Sequence, residues 1–108
     1  MIEGGHRVLI EADLAPTDCG GLKGPIRDGH RSVAYRFAAL GGDDADQAFG
    51  AQVEDVFEGG EPGGHLVARV CFYHDLAEVY ATVGAEFDLW YGRVVGRGRV
   101  VATVPDPT

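Results

Sequence analysis

The feature that most constrains this chain is a two-residue hydrophobic period, interrupted repeatedly by glycine and proline. Val8, Ile10, Ala12 and Leu14 hold one parity, and Arg7, Glu11 and Asp13 hold the other together with Leu9. A strand sends alternate side chains to opposite faces, so this segment buries one face and leaves the other mostly wet. The period returns over 31–38, where Val33, Tyr35 and Phe37 oppose Ser32 and Arg36, and over 85–91, where Phe87, Leu89 and Tyr91 oppose Glu86, Asp88 and Trp90. Residues 49–57 are β-rich, but their parity fails near Asp55 and Val56, which predicts a bulge. Residues 65–73 are apolar on both parities and predict a strand covered on both sides. In the last strand, 93–104, the even positions Gly96, Gly98, Val100, Ala102 and Val104 are small or apolar, and the odd positions include Arg97 and Arg99. Small inward residues suit a tapering barrel where the facing side chains are large.

The breaks are as informative as the strands. The chain carries 17 glycines and 5 prolines. Four of those glycines and two prolines fall in 16–29, which reads as a long excursion without regular structure, of the kind that often forms a binding loop. Residues 41–48 read as a solvated acidic turn, and 59–64 as a second breaker. Residues 75–83 admit two readings. Asp75 with Glu78 resembles a capped helix start, with Leu76, Val79, Tyr80 and Val83 at helical spacing and Gly84 at the end; a strand continuation with a turn is the other. The total is about six strands and at most one short helix near 75–83. Closure into a six-stranded antiparallel barrel, one all-β domain over 1–108 with a frayed tail at 104–108, removes the exposed edges of an open sheet.

Charge and motifs narrow the function. Nine Lys and Arg against 17 Asp and Glu give a net charge of −8, which repels a phosphate backbone unless a local basic stripe survives. No apolar run is long enough for a membrane helix, and the acids within the first 14 residues do not suit a signal peptide. Cys19 and Cys71 form no C-x-x-C pair and read as a loop thiol and a core thiol, so a reduced, cytoplasmic protein is expected. Gly21-Leu-Lys-Gly24 is too short for a phosphate-binding loop and has no hydroxyl after its lysine. His6, His30, His65 and His74 lack metal-ligand spacing, and Asp43, Asp44 and Asp46 lack the rest of a calcium loop. His74-Asp75 has no nucleophile elbow to serve. The expectation is therefore no enzyme, no metal and no cofactor. The positive signal is a set of arginines in an acidic chain: Arg31, Arg93, Arg97 and Arg99. They form either a basic patch suited to phosphate or carboxylate, or cross-strand partners for the many acids.

Two segments carry a family resemblance. Gly20-Gly21, Pro25, Gly29-His30-Arg31 and Tyr35, together with the closing run from Phe87 through Trp90-Tyr91-Gly92-Arg93 to Gly96, Gly98 and Val100, resemble the third, C-terminal β-barrel domain of bacterial elongation factor Tu. The resemblance implies a six-stranded antiparallel barrel that does no chemistry and works by contact. It places contacts to tRNA or a partner at Arg31, Tyr91 and Gly92, with Tyr91 standing where the family usually has glutamate and one glycine of a pair missing. A stand-alone barrel without the family's GTP-binding domain is expected. The expected function is a protein-interaction module linked to translation, with the 16–29 loop and Arg31 as its contact region. A residual tRNA- or RNA-binding module using Arg31, Arg93, Arg97 and Arg99 is the first alternative, disfavoured by net charge. A small ligand-binding barrel or enzyme with Trp90, Tyr91 and His74 around its mouth is the second.

Overall fold

The computed structural model describes residues 6–31, 33–37, 47–74 and 77–104. Six strands form one closed barrel: β1 (His6–Leu14), β2 (Ala34–Phe37), β3 (Gln47–Gly59), β4 (His65–Phe72), β5 (Glu86–Trp90) and β6 (Val94–Val104). Around the ring they run β1-β4-β3-β2-β5-β6, every pairing is antiparallel, and β6 pairs with β1 to close it. The all-β barrel read from the alternation is thus the observed fold.

Ring order and chain order differ at two connections. β1 and β2 lie on opposite sides of the ring, as do β4 and β5. Each of these connections must cross an end of the barrel, and together they plug both ends. The β1–β2 connection crosses one end, where it buries Ile26 and packs Leu22 on the core. The β4–β5 connection crosses the other with a short helix, α1 (Ala77–Tyr80). The first is here called the loop end and the second the helix end.

Of the two readings of 75–83, a helix is realised over Ala77–Tyr80, and Tyr80 packs on the core beside Phe49 as the helical spacing predicts. Ala77 and Ala81 are fully buried, whereas Val79 and Val83 stand exposed. The helix end is thus covered by two methyl groups and the flank of the Tyr80 ring. The proposed cap Asp75 and the residue Leu76 lie outside the described residues, as do the acidic turn with Asp43, Asp44 and Asp46, and Ser32. The first strand is anchored to the helix end by the His6 ring, which lies 3.0 Å from the Ala81 carbonyl oxygen.

The interior is filled by inward positions of every strand. Tyr35, Phe37, Phe72 and Phe87 meet in edge-to-face or tilted contacts, with Tyr35 and Phe72 centroids 5.2 Å apart at 76°. Such geometries bring the ring edges against the neighbouring faces and add to the gain from burial. Burial of Tyr35 holds its phenol far above the usual tyrosine range.

The bulge expected near Asp55 and Val56 is present as two register shifts, between Val53 and Asp55 and between Val56 and Glu58. Two further shifts were not anticipated. One falls between Leu9 and Ile10, where β1 pairs with Ala102 and then Val100, so Val101 is skipped and the parity of β6 reverses. Ala102 and Val104 therefore share the outer face with Leu9 and Arg7 instead of facing in. The other lies where Leu89 pairs with Gly96 and Trp90 with Val94, which turns Val95 into the core at the loop end. β4 also departs from expectation. It alternates, with Leu66, Ala68, Val70 and Phe72 buried; on its outer face only Cys71 is fully buried.

Gly96 and Gly98 occupy the tight seam between β1 and β5. A Cβ on Gly98 would stand 2.3 Å from the Glu11 carbonyl oxygen, 2.7 Å from the Ala12 Cβ and 2.9 Å from the Phe87 ring. Replacing it with alanine forces the seam apart, so Gly98→Ala is expected to cost about 1–3 kcal/mol. Gly24→Ala, where a Cβ meets nothing within 4 Å, is expected to leave the thermal midpoint nearly unchanged. Melting both variants by circular dichroism checks this; equal midpoints would contradict the packing argument.

Candidate binding groove at the loop end

The crossing loop is built in two sewn halves. Residues 16–22 form a knuckle around a 3-10 turn (Thr17–Cys19), a local element missed in the sequence. There the Cys19 and Gly21 amides donate to the Pro16 carbonyl at 3.0 and 2.9 Å, and the Thr17 hydroxyl donates to the Leu22 carbonyl at 2.6 Å. Residues 26–30 are stitched to β3 and to the β3–β4 turn. The Ile26 amide donates to the Gly60 carbonyl at 2.8 Å and Gly29 to Val53 at 2.6 Å, and the Val53 amide donates to His30 at 2.9 Å. The Asp28 carboxylate accepts the Val56 amide at 2.8 Å, at the bulge of β3. The bulge thus frees a β3 amide that the loop uses.

Between the halves, Lys23, Gly24 and Pro25 face the tight β5–β6 turn, which is closed by the Tyr91 amide donating to the Arg93 carbonyl at 2.9 Å. The space between loop and turn is a groove of about 510 Å³, within the usual size of small-ligand and peptide sites. Leu22, Pro25 and Val95 give it apolar walls; Lys23, Arg93 and Tyr91 supply charge and an aromatic ring; His30 completes it. Arg93 is held against the knuckle. Its Cδ and Nη1 lie within 3.3 Å of where a Cβ on Gly20 would be, and Gly20 has φ +91°, so no ordinary side chain fits beneath the guanidinium.

The electrostatics of the molecule set this groove apart. Five of the nine cationic side chains sit on strands, and all five pair with carboxylates: Arg7 with Glu54 at 3.0 Å, Arg36 with Asp88 at 3.1 Å, Arg97 with Asp88 at 3.4 Å, Arg99 with Glu11 at 2.6 Å, and Arg69 with Glu54 and Asp55. The other four, Lys23, Arg27, Arg31 and Arg93, lie in the crossing loop or the β5–β6 turn and make no ion pair among the described residues. No acidic side chain lines the groove among those residues.

The sequence-predicted contacts therefore divide. Arg97 and Arg99 share the outer face of β6 as expected, but they serve cross-strand pairs and leave the proposed basic patch without its strand members. Tyr91 lies beyond the end of β5, exposed, instead of continuing its inward face. Tyr91 and Arg93 line the groove, whereas Gly92 and Arg31 are exposed nearby in the chain without lining it. Trp90, Tyr91 and His74 do not share a mouth: the first two belong to the loop end, and His74 lies at the helix end beside Phe49. Lys23, Leu22 and His30 were not singled out as site residues. The signal available for Lys23 was its place in a loop, away from any strand register that could supply a carboxylate. Among the described residues no group of three or more His, Cys, Asp or Glu is arranged to hold a metal ion. Cys19 is exposed and Cys71 buried, as read from the sequence.

No protein-family model and no curated protein matches this sequence.

Two histidines at the loop end are perturbed in opposite directions. His65 lies 2.9 Å from the Asp13 carboxylate, and that hydrogen bond, with the nearby carboxylates of Glu11 and Glu58, raises its pKa. Burial lowers the pKa of His30. Linkage gives the signs. The His65 contribution is present below the unfolded-state value of about 6.5 and fades as pH rises through its higher folded value. His30 opposes folding increasingly as pH falls through that same unfolded value of about 6.5, because the folded state resists its protonation. A titration followed by imidazole proton shifts is expected to place the His65 midpoint above that of His30, with Asp13→Asn bringing His65 down. The reverse order would contradict both environments.

Proposed function

We propose that this chain is a non-catalytic binding module that works by contact through the loop-end groove, with a protein as its partner. The observation carrying this reading is the convergence of Lys23 and Arg93 on a groove without acidic lining in a chain of net charge −8. The two halves of the loop are hydrogen-bonded to themselves and to the barrel, so an occupant would meet a preformed surface and lose little to ordering it. The resemblance to the third domain of elongation factor Tu supports the same reading, in placing contacts at Arg31, Tyr91 and Gly92, and it gives the module a place in translation in the cytoplasm. RNA is the weaker reading. With Arg97 and Arg99 engaged by carboxylates, the groove offers Lys23 and Arg93, against the roughly 6–10 phosphate contacts that make RNA or DNA binding strong.

The test is site-resolved photo-cross-linking in cells. Benzoylphenylalanine in place of Lys23 or Tyr91 is expected to capture a discrete protein partner, and the same group in place of Val79, at the helix end, is not. A yield at the groove no higher than at Val79, or adducts removed by ribonuclease, would overturn the proposal.

A further inference from the structure

Resting on the reading of the groove as the contact site, we infer that its occupant is a short peptide segment of a partner protein that combines an apolar side chain with a carboxylate. Each half of this description answers a feature of the groove. Leu22, Pro25 and Val95 form its walls with the ring of Tyr91, which is more than half exposed and so has apolar surface to lose on binding. Arg93 offers a planar fork of donors that matches a carboxylate in two parallel hydrogen bonds. Lys23 adds a mobile point charge on the opposite, loop side. The lining thus presents the cations Lys23 and Arg93 together with apolar surface and no carboxylate among the described residues.

Two other occupants fit less well. A basic peptide would bring its charge against Lys23 and Arg93. A nucleic-acid strand would bring a long row of phosphates to a molecule of net charge −8, with Arg97 and Arg99 already paired with Asp88 and Glu11. A peptide with one or two carboxylates escapes most of that repulsion, because charges beyond about 8 Å are largely screened at physiological salt. Apolar walls also reward a side chain more than they reward a phosphodiester.

Selection of short random peptides from a displayed library against the intact chain tests the inference. The expected pool is enriched in peptides with Asp or Glu next to a large apolar residue. Amide shifts of a selected peptide complex are expected at Leu22, Lys23, Tyr91 and Arg93. Lys23→Glu and Arg93→Glu, both at exposed positions, are expected to weaken binding at least about tenfold each, with unchanged thermal midpoints separating lost binding from a loosened loop. An alanine change at the selected acid should lose as much, while its apolar neighbour changed to Ser should lose affinity without changing salt dependence. Enriched peptides that seat in the groove but are basic or uncharged would overturn the inference and leave the groove standing as the contact site. Shifts confined to the helix end, or selection that yields no groove binder, would overturn both. Displacement of the selected peptide by a short oligoribonucleotide with a steep salt dependence would transfer the site to nucleic acid.

Discussion

Everything in this molecule follows from how the ring is closed. Six strands meet edge to edge, but the chain does not visit them in ring order: β1 leads to β2 and β4 leads to β5 across the full width of the barrel. A hairpin turn cannot span that distance, so each crossing needs a long segment, and the segment must lie over an open end of the core. The physical consequence is a barrel that closes its own mouths. The helix end takes Ala77 and Ala81, whose methyl groups are what fits between a helix backbone and a narrow opening. The loop end takes Ile26 and Leu22. The interior, packed with Tyr35, Phe37, Phe72 and Phe87, is given over to stability. On the proposed reading, recognition is left to whatever the crossing segments present on their outer side.

Closure also decides where charge can act. An antiparallel barrel places residues of neighbouring strands in fixed opposition on its outer wall, and here arginines oppose acids. Glu54 serves both Arg7 and Arg69, and Asp88 serves both Arg36 and Arg97. Arg36 is fixed further by the Trp90 ring, 4.8 Å from its guanidinium. Among these pairs, an exposed one such as Arg99 with Glu11 adds at most about 1 kcal/mol to stability. The larger effect of the pairs is to give every strand cation a carboxylate neighbour, four carboxylates serving five arginines. What remains uncompensated is determined by topology: cations carried by connections, where no register supplies a carboxylate.

The same division explains what could be read from residue order. Strands were legible because one-sided burial writes a two-residue period, and Val8 to Leu14 shows it without interruption. Gly96 and Gly98 were legible as small seam positions, the first opposite Leu89 and Leu14 and the second opposite Phe87 and Ala12. The parity reversal at Val101 and the inward turn of Val95 were not, because a bulge is decided by where the partner strand donates its hydrogen bonds. Spacing at 75–83 offered a helix without excluding a strand and turn; it placed Tyr80 on the core correctly, but the barrel mouth and not hydrophobicity left Val79 and Val83 outside. For the site, Tyr91 was marked by the family resemblance and Arg93 by its charge, but the groove joins them to residues some seventy positions earlier in the chain. Only the crossing of the barrel end brings those segments together. Arg97 and Arg99 had the right chemistry for a contact patch, and their neighbours, visible only once β5 and β1 flank β6, decide against it.

A contact role asks two things of a scaffold that usually conflict: a loop surface with variable chemistry and a backbone that does not have to be ordered on binding. Here the bulge of β3 reconciles them. It leaves the Val56 amide free for Asp28, while the regular part of β3 exchanges hydrogen bonds with Gly29 and His30, so the far half of the loop behaves almost as an added piece of sheet. The near half is fixed through Ala15, whose amide donates to Val95, and through the Gly20 surface beneath Arg93. Lys23, Gly24 and Pro25 are suspended between two anchored segments, opposite a turn that is itself hydrogen-bonded shut. Their side chains are therefore free to differ without loosening the wall they belong to. That separation of anchor from surface is what makes the loop end, and not the packed interior, the place where this barrel can acquire specificity.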